Sequence, residues 1–152
     1  MKNIFSFLLL LSFIGCQPSE KPSPKNKAKV VEQPLQGATS YPSITEEEMT
    51  ELVQRTSLID YVFYDLPLSM NLDNPGAINS ALRQISNQPA KIYPQCKPMG
   101  RVIFQDDGDI FKEADFYFEK PCFGFVFIED NKKTKSNMMT EEGSTFLSLI
   151  HI

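Results

Sequence analysis

The sequence predicts an α+β fold: two N-terminal helices, then an antiparallel β-meander of about four strands, then a short C-terminal helix. Three observations carry that prediction. Capped amphipathic segments begin at Thr45 and Asn74. The stretch Gly100–Ile128 reads as strand, turn, strand, strand around Asp106-Asp107-Gly108. Eight aromatic residues fall between Phe104 and Phe127 in a chain of 12 Phe and no Trp, so phenylalanine is the main bulky filler of the core. At 152 residues there is room for one domain, and part of the length is not domain.

Lys2 precedes an apolar run from Ile4 to Ile14, which is shorter than the roughly 20 residues a membrane-spanning helix needs. It has the length of a secretory signal's hydrophobic region. The run ends Phe13-Ile14-Gly15-Cys16, which resembles the lipobox of bacterial lipoproteins. That resemblance implies removal of residues 1–15, acylation of Cys16 with palmitate-type chains, and a membrane partner reached through the lipid. Several acyl chains on one cysteine hold a protein to a bilayer far more firmly than one chain does. Gln17, following the cysteine, implies the outer membrane of a two-membrane envelope, on its periplasmic or surface face. Residues 16–42 then form a flexible tether, with several prolines and lysines and little apolar periodicity. The folded domain is expected over 43–152.

Thr45-Glu46-Glu47-Glu48 is a capping box, with Ile44 and Met49 as a hydrophobic staple and three acids at the positive end of the helix dipole. Met49, Leu52, Val53, Ile59 and Phe63 fall near one stripe, so the spacing predicts a helix running to about Tyr64 and ended by Leu66-Pro67. Pro75 suits a first helical position, and Ile78, Ala81, Leu82 and Ile85 give the stripe of a second helix closed by Asn87-Gln88-Pro89.

Two registers compete for the hairpin. A two-residue Asp107-Gly108 turn sets Gln105 opposite Ile110 and Val102 opposite Glu113, mixing polar and apolar residues on each face. A three-residue loop with Gly108 left-handed and a following bulge sets Phe104 opposite Ile110 and Arg101 opposite Glu113, and is the one expected. It collects Phe104, Ile110, Ala114, Phe116 and Phe118 on one face. The other carries Ile103, Phe111 and Tyr117 among Arg101, Glu113 and Asp115. The run Cys122–Ile128 has no alternation, as suits a central strand covered on both faces.

In a meander the first and third strands run parallel. Cys96, ahead of Gly100, therefore lies at the same end of the sheet as Cys122, and a disulfide joins them. Closing about 27 residues contributes roughly 3 kcal/mol on the chain-entropy account. The spacing is not Cys-x-x-Cys, which argues against a redox pair of lowered pKa. After a turn at Glu129–Lys132, Lys133–Met139 reads as a fourth strand with edge lysines. Thr140 caps a last helix whose Phe146, Leu149 and Ile150 would pack on the sheet. Gly143 weakens that helix, with a terminal strand as the alternative.

From residue 43 onward there are 10 basic and 17 acidic residues, which argues against a nucleic-acid partner. The one histidine, His151, stands next to last, so histidine-dependent catalysis and multi-histidine zinc sites are not expected. Asp106, Asp107 and Asp109 lack the spacing of a calcium loop, and Met70, Met99, Met138 and Met139 read as core filler rather than copper ligands. No metal and no cofactor is expected. Glu113 with Asp115, and Asp60 with Asp65, are carboxylate pairs without a marked cleft. The remaining candidate is an apolar strip of Ile103, Phe111, Tyr117, Val126 and Ile128, left by helices covering only the other face, where an envelope protein could dock. The expected function is a non-catalytic binding or accessory module on the cell envelope. An inhibitor of an envelope-targeting enzyme such as lysozyme is the alternative, followed by a carboxylate-dependent hydrolase.

Overall fold

The computed structural model describes residues 37–150. The expected signal peptide, Cys16, most of the tether and His151 lie outside the described residues. The architecture is α+β, with one main antiparallel sheet and three helices. In chain order the elements are β1 (Thr39–Ser40), α1 (Glu46–Arg55), β2 (Leu58–Phe63), β3 (Ser69–Leu72), α2 (Pro75–Leu82) and β4 (Lys91–Ile92), then β5 (Gly100–Asp106), β6 (Asp109–Glu119), β7 (Cys122–Glu129), β8 (Lys132–Met138) and α3 (Glu141–Ile150). Six strands form the main sheet in the order β3-β2-β5-β6-β7-β8, while β1 and β4 pair as a separate two-stranded ribbon.

The first helix is shorter than its stripe suggested. Thr45 and Glu48 make the full capping box, but the helix stops at Arg55, and Thr56 is already extended. The chain then enters strand β2, paired with β5 from Leu58↔Gln105 to Phe63↔Gly100. Ile59, Tyr61 and Phe63 point into the core. Ile59 and Phe63, which suit a helical stripe, suit a period of two equally well once Tyr61 is counted, and a β-branched and aromatic run favours the pleated surface. With β3 added by the Asp65–Leu68 connection, the four expected strands become six.

The hairpin register also differs. Asp107 (φ 50°) and Gly108 (φ 95°) form a two-residue turn of primed type, with Asp106 opposite Asp109 and Gln105 opposite Ile110. The pairing then shifts so that Phe104 faces Lys112 and Val102 faces Ala114, leaving Phe111 as a bulge. That bulge repairs the polar and apolar mixing that a plain two-residue turn would impose. The β7–β8 hairpin repeats the device, with Asp130 and Asn131 left-handed in the turn and a shift between Phe127↔Lys135 and Ile128↔Lys133.

The main core lies between one face of the sheet and the three helices. Phe116 stands at its centre, edge-on to Tyr61 and Phe63 with ring centroids at 5.7 and 5.3 Å, and stacked on Phe118 at 6.2 Å. In α3, Leu147 is fully buried and Phe146 packs at the margin, whereas Leu149 is exposed. Gly143 is a close-approach position rather than a weakness, since a methyl there would come within 2.7 Å of Gln84 Cβ. Ile110 is likewise exposed, because it sits beside the turn and beyond the helices.

Candidate functional site

α1 and α2 diverge over the sheet and leave a groove between them of about 640 Å³. Its floor is apolar, built from Ile44, Met49, Leu82 and Ile85, with Val53 half exposed on its wall. The caps fix both walls. Thr45 and Glu48 reciprocally satisfy the first turn of α1, and Asn74 Oδ1 accepts from Gly76 N–H at 2.8 Å at the start of α2. One end is pinned by buried Asn137, whose Oδ1 accepts from Ile44 N–H at 3.0 Å while its amide donates to the Ser86 carbonyl at 2.8 Å. Thr50, Asn79, Arg83 and Asn87 supply a hydrogen-bonding rim. An apolar floor with amide and hydroxyl groups at the edge, joined there by the charged side chains of Glu46 and Arg83, is the composition of a ligand groove. The signal in the sequence was the width of the α1 stripe. Leu52 is buried against the sheet and Met49 packs only partly on the core, which leaves Val53 exposed beside the groove.

α1 is fastened to the sheet by Glu48, whose carboxylate accepts from Lys135 Nζ at 2.5 and 2.6 Å with Lys112 Nζ at 4.0 Å. Burial alone would raise the Glu48 pKa, but the Lys135 ammonium and the Thr45 cap outweigh it and hold the group below its ordinary value.

The expected partner strip does not exist as one surface. Tyr117 and Val126 are buried beneath the β1–β4 ribbon, in a small second cluster with Cys122, Tyr41, Ile92, Tyr93 and Cys96. Phe111, displaced by the bulge, packs on the helix side against the main core, with the Arg55 guanidinium 4.3 Å from its ring centre. Ile103 and Ile128 remain half exposed on the ribbon side, where Ile103 sits in register between Asp60 and Glu113 and Ile128 between Glu113 and Lys133. The disulfide is formed as expected: Cys96 and Cys122 are joined with Cα atoms 6.3 Å apart.

The carboxylates of this face are engaged. Asp115, nearly buried, accepts from Arg101 Nε and Nη2 at 3.1 and 3.0 Å and from the Tyr64 hydroxyl at 2.9 Å, while Glu113 lies 3.7 Å from Arg101. Burial and the bond to Asp115 push the Tyr64 phenol above its usual pKa. Asp60, which is on β2 rather than on a helix, accepts from Asn71 and Gln105 at 2.5 Å each.

Comparison with family models, curated proteins and solved structures finds no match. Among the described residues no three His, Cys, Asp or Glu side chains gather as a metal site, and no helix is long and apolar enough to cross a membrane.

Proposed function

We propose that the chain is a cell-envelope lipoprotein, held through acylated Cys16 in the outer membrane, whose domain is a non-catalytic binding module. The α1–α2 groove is its binding surface, and the occupant is an apolar peptide segment of an envelope protein. The groove itself carries this reading: a floor of Ile44, Met49, Leu82 and Ile85 offers burial for apolar side chains, and the rim of Thr50, Asn79 and Asn87 suits a peptide backbone. The carboxylates that a hydrolase would need are spent on Arg101, Tyr64, Asn71 and Gln105. On this reading a flexible tether over 16–42 would let the groove search for a partner near the membrane.

A photo-crosslinking side chain placed at Val53 of the full chain, in intact envelopes, tests the reading. One defined adduct should form, mapping to an apolar segment of its partner, and a crosslinker at Ile110 should not produce it. Loss of membrane association in Cys16→Ser accompanies this outcome. No adduct at Val53, or turnover of a wall or lipid substrate that Glu113→Gln abolishes, would overturn the proposal.

A further inference from the structure

The ribbon covering the second face is a flap with a fastened root at each end. At one end the Ser136 hydroxyl accepts from Tyr41 N–H at 3.3 Å and shares its one proton between the carbonyls of Tyr41 and Ala90, each at 3.1 Å. At the other, Met99 N–H donates to Phe116 O at 2.9 Å and Tyr64 N–H donates to Met99 O at 3.0 Å. Between these roots the segment 91–98 is held down by the small cluster around Tyr117 and Val126, by the hydrogen bond from Tyr93 N–H to Cys122 Sγ at 3.2 Å, and by the disulfide. The main core lies on the opposite face and draws nothing from 91–98.

The two sulfurs differ in access. Cys122 is buried, whereas Cys96 is partly exposed and lines a surface cavity of about 150 Å³ together with Lys97 and Lys120. Of the two half-cystines Cys96 is the one open to an attacking thiolate, and the two lysines outnumber the single carboxylate of Glu119 in the same cavity, leaving a net positive charge there. Exposed bridges are the ones that thiols reduce readily, and cationic surroundings favour thiolate chemistry.

We propose that the Cys96–Cys122 bond is a reducible latch: a dithiol reductant enters the Lys97/Lys120 cavity, attacks Cys96 Sγ, and releases residues 91–98 from Tyr117 and Val126. In the first step the reductant's sulfur bonds to Cys96 as the Cys96–Cys122 bond breaks, and the electron pair leaves on Cys122, whose thiolate accepts the Tyr93 N–H. The reductant's second thiolate then attacks its own partner sulfur and frees Cys96. Two electrons and two protons pass from the dithiol, which ends as a disulfide, to two cysteine thiols. The chain is thus the substrate of a thiol reductant rather than an oxidoreductase, consistent with its lack of a Cys-x-x-Cys pair. Release of 91–98 uncovers the part of Tyr117 and Val126 that Tyr41 does not cover, next to partly exposed Ile128 and apart from the α1–α2 groove.

The test uses the full-length wild-type chain. Brief exposure to glutathione followed by peptide mapping should place the mixed disulfide on Cys96 in about tenfold excess over Cys122. Replacing Lys97 and Lys120 with serine should slow reduction by dithiothreitol several-fold at low ionic strength, a difference that salt removes. Complete reduction should raise amide hydrogen exchange in 91–98 by about tenfold or more, while Val102–Phe104 and Ala114–Phe118 stay protected. Glutathione on Cys122, equal reduction rates in the lysine variant, an unchanged flap after reduction, or protection lost across the whole sheet would each overturn the latch.

Discussion

At the scale of single residues, one glycine carries the cost of backbone geometry alone and another adds the cost of space to it. Gly124 lies in β7 opposite Tyr117 and Met138, and a methyl there would come within 2.5 Å of the Asn137 carbonyl oxygen and 2.8 Å of Ala90 Cβ. Gly108 sits at φ 95° in its turn with nothing within 4 Å. Gly124→Ala should therefore cost about 2–3 kcal/mol by overpacking at a φ of 159° that already disfavours a side chain, and Gly108→Ala about 1–2 kcal/mol by left-handed strain alone. Urea unfolding ranks the two, and a Gly108→Ala loss equal to or larger than that of Gly124→Ala would contradict the assignment. The left-handed need at Gly108 was legible because Asp-Asp-Gly between apolar runs is a turn signal. The close approach at Gly124 was not, since it depends on how Asn137 and Ala90 pack across the sheet. The Asp115 network was hidden for a similar reason: its hydroxyl donor, Tyr64, comes from a stretch whose spacing mimics a helix.

Among the elements, the starts of α1 and α2 were legible because caps are local chemistry, with Thr45, Glu48, Asn74 and Pro75 in fixed order. The end of α1 was not, because Ile59 and Phe63 satisfy helical and extended periods alike and only pairing with β5 decides. The hairpin was legible as a hairpin but not in its register, since a bulge at Phe111 costs one unpaired residue and returns Ala114, Phe116 and Phe118 to the core face. Glu48 tests how α1 is held. Its folded pKa lies below the ordinary 4.5, so its contribution is complete above that value and is lost as pH falls through the lower folded value. Glu48→Gln, which mimics the protonated acid, should cost about 1 kcal/mol at pH 7 and less at a pH well below 4.5. Denaturant titrations at both pH values measure this, and a penalty that persists undiminished in acid would mean that the Lys135 pair is not what fastens the helix.

For the whole molecule, the decisive asymmetry is between the two faces of one sheet. The meander from Gly100 to Met138 and the cysteine pairing were legible because strand alternation and parallel first and third strands fix which ends meet. The cover on the second face was not legible, because β1 and β4 are two residues long and carry no periodic signal. They nevertheless bury Tyr117 and Val126, which the sequence alone leaves open to a partner. The helix-side core should behave as the cooperative body and the ribbon-side cluster as an appendage. Phe116→Ala removes the ring around which Tyr61, Phe63 and Phe118 are arranged and should cost about 4 kcal/mol, lowering hydrogen-exchange protection in every strand. Val126→Ala, equally buried, should cost only about 1–2 kcal/mol, because the ribbon can settle into the space, and its effect on exchange should stay within 91–98 and the neighbouring β1. Equal losses of stability, or protection falling alike throughout the sheet in both variants, would show one indivisible core and would remove the physical basis for a flap that opens on its own.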